Sequence, residues 1–246
     1  AAPAVPRPGG RRLVTTGGEK GTGILFGIDG TLLDTSGAGR RSFMLALDEV
    51  FGWGADARNL TFAGATDLDL LTRLAEGRGC TLTPDQVEDF FGRLPGALRS
   101  ALQAEPPRVY PGVRELLETL SSREDVCLGL VTGNIETCAW VKLEACNLHG
   151  HFTLGAFGHE HADRCEIARL ARQRAEQAAG GPTAFRACHL IGDTPSDIRA
   201  AHAIGATALA VATGGYDAAR LREAGAHQVW ASLADTPQIM HRLGLI

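Results

Sequence analysis

The chain has 246 residues, 44% of them hydrophobic, and a formal net charge of −4. That is enough apolar material for one large domain, or for a core carrying one insertion. The mixed charge excludes an extended basic face for nucleic acid or for an anionic membrane surface. No apolar run approaches the length of a membrane span.

Residues 1–23 are rich in Pro, Gly and Arg, with no secretory apolar stretch, and are expected to form a flexible leader. Beyond them, apolar runs at 24–28, 126–131, 153–157, 187–191, 207–211 and 227–230 predict strands. Amphipathic stretches at 112–122, 135–147, 163–179, 195–204, 217–224 and 233–243 predict helices between them. Such alternation implies an α/β fold, a parallel sheet with helices on both faces. Segment 36–109 lacks a convincing strand and predicts helices at 39–51, 67–78 and 84–104, the last stopped by Pro106-Pro107. It is expected to be an all-α insertion hinged near 35–38 and 106–111, leaving 24–35 and 110–246 as the core.

Six cysteines (Cys80, Cys127, Cys138, Cys146, Cys165, Cys188) are scattered without a C-x-x-C pair. Free thiols in a reducing, cytoplasmic setting are expected, and none has the context of a nucleophile.

Open α/β sheets place their active sites at the carboxyl ends of strands. Three predicted strand ends carry polar residues there: Asp29, Thr132 and Asp193. Asp29 sits in Ile24-Leu25-Phe26-Gly27-Ile28-Asp29-Gly30-Thr31, a strand running into a turn whose N–H groups suit a phosphate. Thr132-Gly133-Asn134 leads into a helix, and its hydroxyl and N–H groups suit phosphate oxygens or a simple N-cap equally well. Gly192-Asp193-Thr194-Pro195-Ser196-Asp197 puts two carboxylates four residues apart after a strand, hard oxygen ligands of the kind Mg²⁺ prefers.

These segments resemble the first, second and fourth motifs of the haloacid dehalogenase (HAD) superfamily, and the resemblance runs over about residues 24–246. It implies a Rossmann-like core with a helical cap, and a Mg²⁺-dependent phosphomonoester hydrolase acting on a small phosphorylated metabolite. The superfamily's first motif reads hydrophobic-Asp-x-Asp-Gly-Thr, its first Asp the nucleophile and its second the general acid/base. Here Asp29 holds the second place and Gly27 the first, so the nucleophile position is vacated and one metal ligand is lost. The resemblance makes Gly30, Thr31, Thr132, Gly133 and Asn134 phosphate-binding, and Asp29, Asp193 and Asp197 metal-binding, with Mg²⁺ weakened by Gly27.

The third motif is usually a lysine. The chain has only Lys20 and Lys142, and Lys142, mid-helix beside Glu144, reads as a solvated surface residue. Arg164 at a helix start is the better cation, and its context resembles a phosphoglycolate-phosphatase-like subgroup. His159 and His161 read as a polar loop above the site. In the insertion, Thr66 or Asp67 could cap the helix that follows, and the resemblance implies that this loop faces the substrate, while Arg40 and Arg41 either reach an anionic leaving group or form surface ion pairs.

Three functional readings follow: a phosphatase silenced at position 27, a non-hydrolytic pseudoenzyme or binding protein, or a repurposed enzyme using Asp29 without an aspartyl-phosphate.

Overall fold

In this computed structural model, which describes residues 20–246, the strands are β1 (Gly21–Phe26), β2 (Leu33–Asp34), β3 (Arg108–Val109), β4 (Val126–Val131), β5 (Leu154–Ala156), β6 (Phe185–Gly192), β7 (Thr207–Val211) and β8 (Gln228–Trp230). The helices are α1 (Ala38–Phe51), α2 (Asp67–Gly77), α3 (Pro84–Ala104), α4 (Val113–Ser121), α5 (Glu136–Ala145), α6 (Arg164–Ala178), α7 (Pro195–Ala203), α8 (Ala218–Glu223) and α9 (Thr236–Arg242).

Six strands form a parallel sheet in the order β5-β4-β1-β6-β7-β8. The chain winds from β1 to one side through β4 and β5, then returns to the other side through β6, β7 and β8. The loops after β1, β4 and β6 therefore meet at one edge of the sheet, the switch point where such sheets bind ligands. Both faces are covered: one cluster joins Phe26, Leu130 and Ile191 to α4, α5 and α9, the other joins Leu25, Val131 and Leu190 to α6 and α7.

β1 starts earlier than the sequence implies. Gly21–Gly23 belong to the sheet and not to a leader, because Gly23 pairs with Cys127 and Cys188 on its two neighbours. The missing apolar side chain at 23 is supplied by Phe185, whose ring lies 3.1 Å from where a Cβ would stand. The remainder of the expected leader, residues 1–19, lies outside the described residues.

The insertion is α1, α2 and α3 around their own core of Phe43, Leu47, Leu70, Phe90, Leu94 and Leu98. Helix α3 opens with a complete capping box, Thr83 and Gln86, followed by Pro84. The expected hinges are bridged by a two-stranded antiparallel ribbon, Leu33 paired with Val109 and Asp34 with Arg108, too short to be legible as strands. No described helix is long and apolar enough to cross a membrane.

All six cysteines are free, as expected. Burial pushes the Cys127 thiol up to about 12 and Cys188 to about 11, so both are inert packing residues.

One buried histidine sets an acid limit on this fold. His189, on β6, is 5% exposed and neither ring nitrogen has a hydrogen-bond partner of good geometry. Burial, with the Arg242 charge added, lowers its pKa to about 4. The unfolded chain binds a proton there near pH 6.5, whereas the folded chain refuses it until about pH 4. Stability from neutral His189 is therefore intact above pH 6.5 and falls as pH drops toward 4, by about 3 kcal/mol when complete. Urea titrations of the chain and of His189→Leu at pH 7 and pH 4.5 check this. The variant should show the shallower loss, and equal losses would exclude His189 as the source.

Candidate functional site

Backbone geometry assembles this site before any side chain is considered. Strands β1, β4 and β6 end at Phe26, Val131 and Gly192, bringing Gly27–Thr31, Thr132–Asn134 and Asp193–Asp197 to one carboxyl edge. The floor is then cross-linked. Thr31 Oγ1 donates to Asp193 Oδ1 at 2.9 Å, joining the first loop to the third. Asn134 Nδ2 donates to Asp29 Oδ2 at 2.7 Å and to Thr132 Oγ1 at 2.8 Å, joining the second loop to the first. Each expected phosphate-binding residue thus lies in or beside one cavity of about 450 Å³.

Arg164, the first residue of α6, reaches this floor and does not pair with its neighbour Asp163, which caps the helix through the Cys165 N–H. Its Nε donates to Asp197 Oδ1 at 2.8 Å and its Nη2 to the Val131 carbonyl at 3.2 Å. Asp197 Oδ2 accepts from the Asp193 and Thr194 amides and the Thr194 hydroxyl. A 2%-exposed carboxylate is thereby fully spent, as a buried charge must be.

Lys142 corrects the sequence reading. It is 2% exposed, and its ammonium donates to both Asp29 oxygens and to Asn134 Oδ1, each at 2.7 Å. The reason lies in α5, which is sandwiched: Ala139 and Leu143 join the sheet core while Cys138 and Val141 join the insertion's core. A helix apolar all round is a buried helix, and Cys138-Ala139-Trp140-Val141 beside Leu143 carried that signal.

The three carboxylates expected around a metal do not converge. Asp193 and Asp197 are together, but Lys142 holds the Asp29 carboxylate and Arg164 holds Asp197. Among the described residues no three His, Cys, Asp or Glu side chains group to hold a metal ion. Only Asp193 is left as a carboxylate without a cationic partner. Burial, then repulsion from Asp197, raises its carboxyl well above the usual carboxylate range. As arranged, the residues do not fit a tight Mg²⁺ site.

Position 27 takes a side chain only if the Thr31 hydroxyl gives way. Gly27 donates its N–H to the Ile191 carbonyl at 2.9 Å and has no left-handed backbone that would call for glycine. A Cβ there would point into the site, 2.9 Å from Thr31 Oγ1 and 3.8 Å from an Arg164 nitrogen.

The insertion closes over this floor. Asp67 N donates to the Gly133 carbonyl at 2.8 Å, Leu68 N to that of Gly158 at 3.1 Å and Thr66 Oγ1 to that of Ala162 at 3.0 Å. Thr66 caps α2 through the Asp69 N–H. Gly133 is essential to the closure, since a Cβ there would collide with the Ala65 carbonyl oxygen.

Asp67 lines the cavity, and its Oδ2 accepts the Ile135 N–H at 2.8 Å. Burial raises its pKa to about 6, against the opposing effects of that hydrogen bond and of Lys142. A raised carboxyl favours folding below about pH 4, and that contribution is lost as pH rises through 6. Asp67→Asn keeps an acceptor for Ile135 without the charge. It should be more stable than the parent by about 2 kcal/mol at pH 7.5, a gain that vanishes by pH 4. Thermal unfolding at both pH values measures this, and a variant less stable at pH 7.5 would sink it.

Arg41 takes the surface ion-pair role expected of it, and Arg40 takes neither expected role. Arg40 donates to the carbonyls of Ala57, Arg58 and Leu60, and Arg41 pairs with Glu105 and the Ser36 carbonyl. His159 and His161 each accept a backbone N–H at Nδ1, from Glu136 and Asp163. Sequence reasoning also missed Tyr110, Thr213 and Gly214, which line the cavity from loops without a motif.

A search of curated proteins returned no match. Among solved structures, a hydrolase from Pseudomonas syringae is 25% identical with a TM-score of 0.66, over 91% of this chain and 99% of its own. CbbY from Rhodobacter sphaeroides, solved in complex with phosphate, is 19% identical with a TM-score of 0.66, over 87% and 95%. A haloacid dehalogenase-like family protein from Streptococcus pneumoniae is 20% identical with a TM-score of 0.56, over 90% and 97%. The family model described as haloacid dehalogenase-like hydrolase matches residues 24–202, which include all three motif loops and the whole insertion. The chain belongs to the haloacid dehalogenase-like hydrolase family.

Proposed function

We propose that this protein binds a small phosphomonoester between the sheet edge and the helical cap, and that its hydrolytic power is suppressed because Gly27 occupies the nucleophile position. The observation that carries this reading is the direction of the absent side chain. A Cβ at 27 would point at Thr31 and Arg164, into a floor whose other groups are already cross-linked for phosphate. Each remaining group has a role in that chemistry. The Thr132 hydroxyl, held by the Asn134 amide, together with the Gly133 amide and Arg164, binds and orients the phosphoryl oxygens. Asp29 holds or delivers the proton for the leaving oxygen, set in place by Lys142 and Asn134. The phosphate bound in the CbbY structure, on the same fold, supports this choice of ligand.

Magnesium, which the family resemblance implies, would supply charge neutralisation at the phosphoryl group. In this chain Asp193 is the carboxylate left to hold it, so weak binding is expected.

A second reading, binding without turnover, draws support from the same Lys142 contact: with both its oxygens on one ammonium, Asp29 is engaged before any substrate arrives. Hydrolysis of an aryl phosphate and a phosphometabolite panel with Mg²⁺, by the chain and by Gly27→Asp side by side, separates the two. Turnover by Gly27→Asp alone supports the silenced phosphatase. Binding without turnover in both supports the second reading, and absence of phosphate binding in both overturns the proposal.

A further inference from the structure

Tyr110 stands at the joint between the sheet edge and the insertion. It follows β3, and its backbone N–H donates to the Leu32 carbonyl at 3.0 Å, which fixes it beside the first loop. Its ring packs against the sheet core, and the residue lines the cavity. The charges around the phenol locate its hydroxyl. Burial raises its pKa first, and Asp34, Asp193 and Asp29 each raise it further, against Arg108. All three carboxylates line the cavity, so the hydroxyl lies on the cavity side of the ring.

Among the described residues none takes a hydrogen bond from that hydroxyl. The neighbouring carboxylates are engaged elsewhere: Asp34 with the Ser36 amide and Arg108, Asp29 with Lys142 and Asn134, and Asp193 Oδ1 with Thr31. A phenol stays protonated at neutral pH, so Tyr110 holds a donor at the cavity wall that the protein itself leaves unused. The phosphoryl group does not call for it, since Thr132, Gly133 and Arg164 approach that group from the end of β4 and the start of α6. Tyr110 stands instead where a ligand seated on the floor passes toward the insertion. The Ser36 amide and Arg108 keep the adjacent Asp34 ionised, and a negative neighbour favours a neutral ligand oxygen over an anionic one. Resting on the phosphomonoester reading above, we infer that the Tyr110 hydroxyl donates to a neutral oxygen of the ligand, a hydroxyl or carbonyl on the carbon next to the ester carbon. Tyr110 is then a specificity residue, because an analogue without that oxygen leaves the donor unpaired.

Calorimetry on the whole chain at pH 7.5 with Mg²⁺ tests this with three probes: inorganic phosphate, propyl phosphate and 2-hydroxypropyl phosphate, the last as each enantiomer. One enantiomer of the hydroxylated ester should bind about tenfold more tightly than propyl phosphate. Tyr110→Phe keeps the ring that packs on the core and should erase that preference, with propyl phosphate and phosphate affinities unchanged. Equal binding of the two esters by the unmodified chain overturns the inference while the phosphate site stands. A preference that survives in Tyr110→Phe overturns it too, and so does an equal weakening of all three probes, which would place the hydroxyl on the phosphate itself. Tyr110→Leu, read on the same probes, decides the matter should Tyr110→Phe fail to fold. If no probe binds the unmodified chain, the underlying phosphomonoester reading falls and takes the inference with it.

Discussion

Gly27→Asp should raise Mg²⁺-dependent phosphomonoester hydrolysis by about 10³-fold or more, because it restores the one group that can attack phosphorus. Removing the nucleophile from a covalent mechanism costs several orders of magnitude, and what remains comes from binding and charge stabilisation. The same change carries a cost in stability. The new Cβ would lie 2.9 Å from Thr31 Oγ1, so that hydroxyl must turn away and give up its bond to Asp193. A further carboxylate also joins Asp29 and Asp193, with an Arg164 nitrogen 3.8 Å from the new Cβ. Gly27→Asp should be less stable than the parent by about 1–2 kcal/mol without metal. Mg²⁺ should recover that loss, since a ligand that binds only the folded state stabilises it by mass action. Thermal unfolding against Mg²⁺ concentration reads this independently of turnover. A parent that responds to Mg²⁺ as strongly as Gly27→Asp would show that position 27 is no part of the metal site.

The ion pair between Lys142 and Asp29 should be lopsided. Lys142 is sealed from solvent, with its side chain 3% exposed, while the Asp29 side chain is 43% exposed. Removing the lysine leaves a carboxylate that water can still reach, so Lys142→Met should cost only about 1 kcal/mol. Removing the carboxylate strands a buried ammonium with Asn134 Oδ1 as its remaining partner, so Asp29→Ala should cost about 3 kcal/mol. The double variant should resemble Lys142→Met alone, because the stranded charge has gone. Urea denaturation of the four proteins closes this cycle. Equal single costs that simply add would mean that Lys142 is not buried by the packing of α5.

The contrast between Asp193 and Lys142 shows which parts of this site were legible beforehand. Asp193, Thr132 and Asp29 each follow an apolar run ending in a tight turn, and a parallel sheet forces such ends onto one edge. Their places at strand ends follow from periodicity, a local property of the chain, as does that of Arg164 at a helix start, and the parallel sheet implied by the alternation brings those ends together. The insertion's helices were legible for the same reason: repeating apolar faces at 38–51, 67–77 and 84–104, with Thr83 and Pro84 opening the last.

Sequence alone determined the α/β alternation, the order of the motif loops and the absence of a carboxylate at 27, because each is written in consecutive residues. Only the tertiary structure decided where charges end up. Whether Lys142 meets water or Asp29 depends on α5 being covered on one side by the sheet core and on the other by the insertion, whose own helices come from residues 38–104. Whether Arg40 serves a ligand or three carbonyls depends on how the segment after α1 folds back over it. Asp29 likewise became a partner of Asn134 and Lys142 instead of a third metal-facing carboxylate because the fold brings to it groups 105 and 113 positions further along the chain. Burial and pairing are properties of the packed chain, and charge energetics follow burial far more than they follow spacing.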